Sequence, residues 1–340
     1  MKDVLCSKYY VVSIKIFIIF ILLNICYLLL AAAPAGAQEL SLSIDPPIIT
    51  IRAIPPTTAI GNLLLQNNSE NQTRLKIFLK PFKAKSDNGE LEYFNLNFEA
   101  LNEDDLKNLP IHDDIQILDN DIPIEEITLE PWQKKNLSLK ITVSSNENIT
   151  DYYFSILFIS KDELSQDSTH SFNQLGIATN ILLAIGPKEI PNAVLDKFSS
   201  PIFEESGPVA FTVKIKNKGD HFIQPDANIV IKNMFGQTVG NLNLLKTNVL
   251  SDSTRFVVNS FYTDQSKPDM LSPKALWTEK FLLGLYTATL NVRFSEEGHG
   301  FTKSIHFFAF PYQGIAVIAV MLIITLFINK RIKIYRKKAE

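Results

Sequence analysis

The residues best equipped for chemistry lie in one acidic run, "NEDDLKNLPIHDDIQILDND", from Asn102 to Asp121. Its Glu103, Asp104, Asp105, Asp113, Asp114, Asp119 and Asp121 offer the carboxylate oxygens that calcium takes as ligands, and two of them at a suitable separation would make the acid and base of a hydrolase. The run has neither the one-three-five ligand spacing nor the turn glycine of a calcium loop. Runs of charge ordinarily form a loop facing water. A solvated loop is therefore the default reading, with a calcium site and a glycosidase-like carboxylate pair as its alternatives.

Other chemistries find less support. The histidines, His112, His170, His221, His299 and His306, are scattered without metal-ligand spacing. No Gly-x-Ser-x-Gly elbow, phosphate-binding loop or dinucleotide glycine pattern occurs. Both cysteines, Cys6 and Cys26, fall in the N-terminal apolar stretch, so disulfides, thiolate zinc and cysteine catalysis are excluded downstream. No catalytic residue, metal or cofactor is expected, and the chain reads as a non-enzyme. The tryptophans are candidates for contact instead. Trp132 follows Pro131 at a turn and is expected to pack on a sheet edge. Trp277 lies in the long polar interruption from Tyr262 to Lys280 with Met270, Leu271 and Leu276, and these four are the candidate partner contacts. Folding back of that segment on its own sheet is the competing reading.

The elements that would carry such residues are strands. Leu137, Leu139, Ile141 and Val143 alternate with polar residues, as do Tyr286, Ala288, Leu290, Val292 and Phe294. Period two over that length marks strands with one buried face. Phe211, Val213 and Ile215 point inward, the chain turns at Asn217 to Asp220, and Ala227, Ile229 and Ile231 resume the pattern before a second turn at Asn233 to Gly236. One short helix is expected at Glu99 to Pro110, capped by Asn102 and stopped by Pro110. A weak repeat pairs "LLLQNNSENQTRLKIFLKPF" with "FTVKIKNKGDHFIQPDANIVIKN", each a strand, an Asn-led turn and a strand. The fold class expected is all-β, two immunoglobulin-like β-sandwich domains over residues 38–187 and 191–310, joined at Gly186 to Ala193.

The ends of the chain suggest an address. Lys2, Lys8 and Lys15, an apolar run from Ile16 to Leu30, and Ala35-Gly36-Ala37 predict a signal peptide over residues 1–37. Residues 312–329 predict a transmembrane helix, and the Lys/Arg-rich tail of residues 330–340 marks the cytoplasmic side. Of 33 basic residues 24 remain between signal and tail, and of 36 acidic residues 34, a net charge of −10. Nucleic acid is not an expected partner for such a surface.

This layout resembles the bacterial surface proteins called WxL-interacting proteins. The local similarity lies in "LLLQNNSENQTRLKIFLKPFKAKSDNGELEY", Leu63 to Tyr93, with its Asn-turn and Asn-Gly-x-x-x-Tyr, and in "ITLEPWQKKNLSLKITV", Ile127 to Val143. The resemblance implies a first domain associated with peptidoglycan and a second with partners at the cell surface. "DYYFSILFIS" departs from the family's Gly-rich strand. The first half is also similar to pilus chaperones. The expected function is a single-pass surface protein with extracellular domains, binding cell wall or surface proteins. An exported carboxylate-dependent hydrolase and a membrane-tethered, assembly-chaperone-like protein are the alternatives.

Overall fold

The structure, a computed structural model, describes residues 41–95, 102–160, 176–259, 273–294 and 300–339, with side chains to residue 330. The expected signal peptide, Met270 and Leu271 lie outside the described residues. The first half runs β1 (Leu42–Asp45), β2 (Ile48–Ala53), β3 (Thr57–Asn67), β4 (Thr73–Ala84), β5 (Leu91–Tyr93), a short helix α1 (Glu103–Asn108), β6 (Ile115–Asp119), β7 (Ile122–Pro123), β8 (Glu126–Leu129), β9 (Lys134–Val143), β10 (Asp151–Ser160) and β11 (Gly176–Ile185). One sheet has the order β1-β3-β9-β6-β7, and the other β2-β11-β10-β4-β5 with β8 also on β4. The second half runs β12 (Ala193–Ser199), β13 (Phe203–Glu204), β14 (Val209–Asn217), β15 (Asp226–Asn233), β16 (Thr238–Asn243), β17 (Thr254–Phe256), β18 (Ala275–Trp277), β19 (Gly284–Arg293) and β20 (Gly300–Ala309). There β12-β14-β17, with β18 on β14, faces β13-β20-β19-β15-β16. The final helix is α2 (Tyr312–Ala339).

The period-two residues make both cores. Leu137, Leu139, Ile141 and Val143 of β9 are buried with Phe154, Ile156 and Phe158 of β10 in the first. Phe211, Val213 and Ile215 are buried with Ala227, Ile229 and Ile231, and with Tyr286 to Phe294 at alternate positions, in the second. Each such apolar side chain stabilises the fold by about 1.5–3 kcal/mol. At Asp45-Pro46-Pro47 the chain crosses between layers. β1 pairs antiparallel with β3, and β2 pairs parallel with β11. Proline has no N–H for a ladder, so the break in pairing falls there.

The repeat read from the sequence has a physical basis in two buried asparagines. Asn67 ends β3, and its amide donates to the carbonyls of Asn71, Leu129 and Glu130, while its Oδ1 accepts from the Ser69 N–H. Asn217 ends β14 and does the same, donating to His221, Val249 and Leu250 and accepting from the Gly219 N–H. One side chain thus closes its own turn and ties it to a neighbouring loop, which is why the turn is Asn-led in both halves.

The expected helix forms as α1. Asn102 Oδ1 accepts from the Asp105 N–H, the satisfied cap that starts it. Its Asp105 is buried and lies 2.7 Å from Lys80 Nζ on β4.

Two outcomes are expected. Asn217→Ala leaves three buried carbonyls without their donor and costs roughly 3 kcal/mol, and Asn67→Ala, two of whose three bonds are only partly buried, costs less, both read from denaturant unfolding. Lys80→Met strands a buried charge and costs about 3–5 kcal/mol, whereas Lys80→Met combined with Asp105→Leu recovers most of that loss.

Candidate functional site

The two sandwiches meet end to end, and the contact is built by the first turn of β10 and the Asn217 turn. Asp151, at the start of β10, accepts from His221 Nδ1 at 2.6 Å, from the Tyr153 hydroxyl at 2.6 Å and from the Phe222 N–H. The Ser251 N–H in turn donates to the Tyr153 hydroxyl. Burial first, then the Asp151 charge, pushes the Tyr153 phenol far above its ordinary range, so it stays protonated and donating. Phe82, Leu182 and Leu250 pack beside this network with Tyr93, Tyr153 and Phe222. Phe82 stacks on Tyr153, with ring centroids 6.2 Å apart.

A second contact comes from the turn Ser86 to Gly89. The Asp87 carboxylate pairs with Lys214, and its carbonyl accepts from the Phe256 N–H at 2.9 Å. Gly89, at φ 86°, lies where an added Cβ would fall 2.4 Å from the Arg255 guanidinium. The left-handed backbone favours glycine, and any side chain there would push the Arg255 guanidinium aside. Burial lowers the pKa of Arg255.

Beside this junction opens a cleft of about 530 Å³. Arg52, Lys188, Lys246 and Arg293 bring positive charge to it, against Glu189, Asp220 and Asp226. Arg293 is engaged by Asp226 at 2.6 Å, and Arg52 donates to the Pro187 carbonyl. Neither Lys188 nor Lys246 has a carboxylate partner among the described residues. His221 lines the cleft too, and its Nε2 is buried with no hydrogen-bond partner. With four basic and three acidic residues the lining has a formal charge of +1, and its two lysines without carboxylate partners suit a carboxylate or another small anion.

Arg52 belongs to β2, the outer strand of its sheet. β11 lies on one side of β2, and no described strand lies on the other. The Asn180 N–H donates to the Pro47 carbonyl and the Gly186 N–H to the Ala53 carbonyl, so in this parallel pair the odd-numbered residues of β2 point their backbone groups at β11. The N–H and C=O of Ile48, Thr50 and Arg52 therefore face outward. This is an open edge running into a basic cleft.

The residues singled out from the sequence fall elsewhere. The acidic run is dispersed. Asp105 is paired under β4, Asp119 lies 2.6 Å from Lys135, and Asp113 is exposed beside His112. Among the described residues no group of three or more His, Cys, Asp or Glu side chains is placed to hold a metal. Trp277 is 6 % exposed and packs against Tyr286 and Phe307, with centroids 5.6 and 6.4 Å away. The Asn259 side chain brackets the backbone of Leu276, donating to its C=O and accepting from its N–H. The described part of that segment folds down on its own sheet, because burying an indole outweighs presenting it to water. Trp132 departs from its expected packing and is 60 % exposed. It occupies the third position of the turn Glu130 to Gln133 at φ 60°, with Pro131 before it, and that backbone swings its side chain outward. Sequence reasoning missed Asp151, His221 and Arg52 as a set. The one available signal was an aspartate opening an otherwise apolar strand, "DYYFSILFIS".

No protein-family model matches this sequence, and no curated protein is significantly similar to it. Several solved structures are similar to it at low identity. A class 5 fimbriae chaperone, CfaA, is 12 % identical with a TM-score of 0.35, over 78 % of this chain and 98 % of that one. The CsuC–CsuE chaperone–tip adhesion subunit complex of Acinetobacter baumannii gives 13 %, 0.32, 79 % and 99 %. The Salmonella enterica SafB chaperone with its SafA pilin gives 10 %, 0.32, 79 % and 99 %. In this protein each half is a β-sandwich, and an apolar helix follows the second.

Asp151→Ala leaves the His221, Tyr153 and Phe222 donors without their acceptor. The expected loss is roughly 2–3 kcal/mol, with faster hydrogen exchange at the Phe222 amide than at the Ile229 amide in the second core.

Proposed function

We propose that this protein is a non-enzymatic, membrane-anchored module that captures an extended segment of another exported protein. The segment adds as a strand along the open side of β2, and its end, carrying a carboxylate, enters the cleft beside Arg52, Lys188 and Lys246. The observation that carries this reading is the coincidence of an unpaired strand edge with a basic cleft on the same three-residue stretch, Thr50 to Arg52. Main-chain hydrogen bonds to Ile48, Thr50 and Arg52 supply affinity, and the cleft supplies polarity and register. The reading narrows the chaperone-like alternative raised from the sequence and is compatible with a scaffolding role towards surface proteins. Of the acidic run from which the hydrolase alternative was read, Asp105 and Asp119 are engaged by lysines, while Asp113 is exposed beside His112.

The anchor in this proposal is α2. Tyr312–Lys330 has a mean hydropathy of 2.1 and no buried residue, the composition and length of a membrane span. Extracellular placement of the sandwiches follows from the basic residues behind it.

The test uses the full chain in lipid nanodiscs and short strand-forming peptides, each with a free or an amidated C-terminus. Thr50→Pro removes one outward N–H without touching the β11 ladder, as edge prolines do. It is expected to weaken peptide binding at unchanged melting temperature, and Arg52→Glu to cost about tenfold for the free-carboxylate peptide alone. Binding that is indifferent to both substitutions would overturn the proposal.

A further inference from the structure

We propose that the lower end of the second sandwich is seated in the lipid headgroup layer, its apolar turn and strand ends dipping into the membrane that α2 crosses. This rests on reading α2 as a span. The strand register gathers the relevant residues at one place. Asn233 pairs with Tyr286, Gly284 with Ala309, and Phe203 with Phe308. The β15–β16 turn, the approach to β19 and strand β13 therefore all lie where β20 runs out. The connection onward is short, since Phe310 and Pro311 alone separate β20 from α2.

That end is unusually apolar for a set of turns. Ile202 is 83 % exposed, Phe235 79 % and Phe281 67 %, with Phe203, Leu283 and Met234 exposed among them. In the β15–β16 turn the geometry is provided by Asn233, whose Oδ1 accepts from the Phe235 and Gln237 N–H groups, and by Gly236 at φ 80°. Met234 and Phe235 are not needed to close it. An exposed Phe at a hairpin tip, where polar residues ordinarily sit, calls for an apolar neighbour.

The attachment of α2 identifies that neighbour. The helix is fastened to this end, since the Gln313 N–H donates to Glu205 Oε1, and the Phe203 ring lies 6.4 Å from that of Tyr312. The 19 residues of Tyr312–Lys330 reach about 28 Å at 1.5 Å per residue, barely the ~30 Å of a hydrocarbon core. No helix length is left over to lift the sandwich clear of the bilayer. Tyr312 is held at the boundary, and the headgroup layer, roughly 5–7 Å deep on each side, takes in the turns beside it. Aromatic side chains are the ones favoured at that level. A soluble partner has no room there, and a second copy would have to displace lipid that already touches the same surface.

The test is spin labelling of the full chain in phosphatidylcholine vesicles, with Cys6 and Cys26 replaced by serine. Labels are placed through Phe235→Cys and Phe281→Cys in the patch, Asn241→Cys on the exposed strand β16, and Val320→Cys within α2. Both patch positions are exposed, so folding does not depend on them, and unchanged melting confirms it. The expected result is an oxygen-to-nickel-chelate accessibility ratio several-fold higher at 235 and 281 than at 241. If 235 and 281 match 241 while 320 reports lipid, the seating is wrong and the span stands. If 320 is aqueous too, the span reading falls and the seating with it. Concentration-dependent broadening at 235 would show a second copy on the patch and overturn the proposal.

Discussion

Asp151 is the constraint on which the arrangement of the two sandwiches depends. One carboxylate accepts from a histidine ring, a phenol and a backbone amide contributed by both halves. A buried acceptor with several donors has one satisfactory geometry, and leaving any donor unpaired is costly, so the junction behaves as a fixed joint. The Asp87–Gly89 turn against Lys214 and Arg255 supplies a second point of attachment, which resists rotation about the first.

Function on this scaffold is a matter of edges and ends. Both cores are filled, and the polar residues buried there, Asn67, Asn217, Lys80 and Asp105, are occupied with one another or with backbone. Available features among the described residues include the backbone on β2, the side chains around the cleft and the apolar turns near α2. These lie at different heights along the molecule, the turns beside the helix and the cleft at the far end of the second sandwich, where Asp226 and Arg293 pair. A membrane-seated base would therefore hold the capturing edge a full domain length away from the lipid.

Local features of the sequence reappear in the structure, whereas features set by distant contacts do not. Alternation in β9, β14, β15 and β19 was legible because period two is a local consequence of the pleat, and every inward residue read from it is buried. Capping of α1 by Asn102 was legible for the same local reason. Trp132 was not, since its exposure comes from a left-handed backbone at a turn position that composition does not announce. The acidic run looked like a unit only because its members are adjacent in sequence; in space Asp105 and Asp119 answer to lysines on different strands.

By itself the sequence determined the all-β class, the Asn-led turns, the absence of cysteine from the folded part and the apolar helix near its end, because each is set by near neighbours or by composition. Only the tertiary structure decided that Asp151 meets His221 and Phe222, 70 and 71 residues away along the chain, that Arg52 stands beside Lys246, and that Phe235 and Phe281 share an end with Tyr312. Those meetings are fixed by strand register and by the packing of one sandwich on another, and no local pattern encodes them.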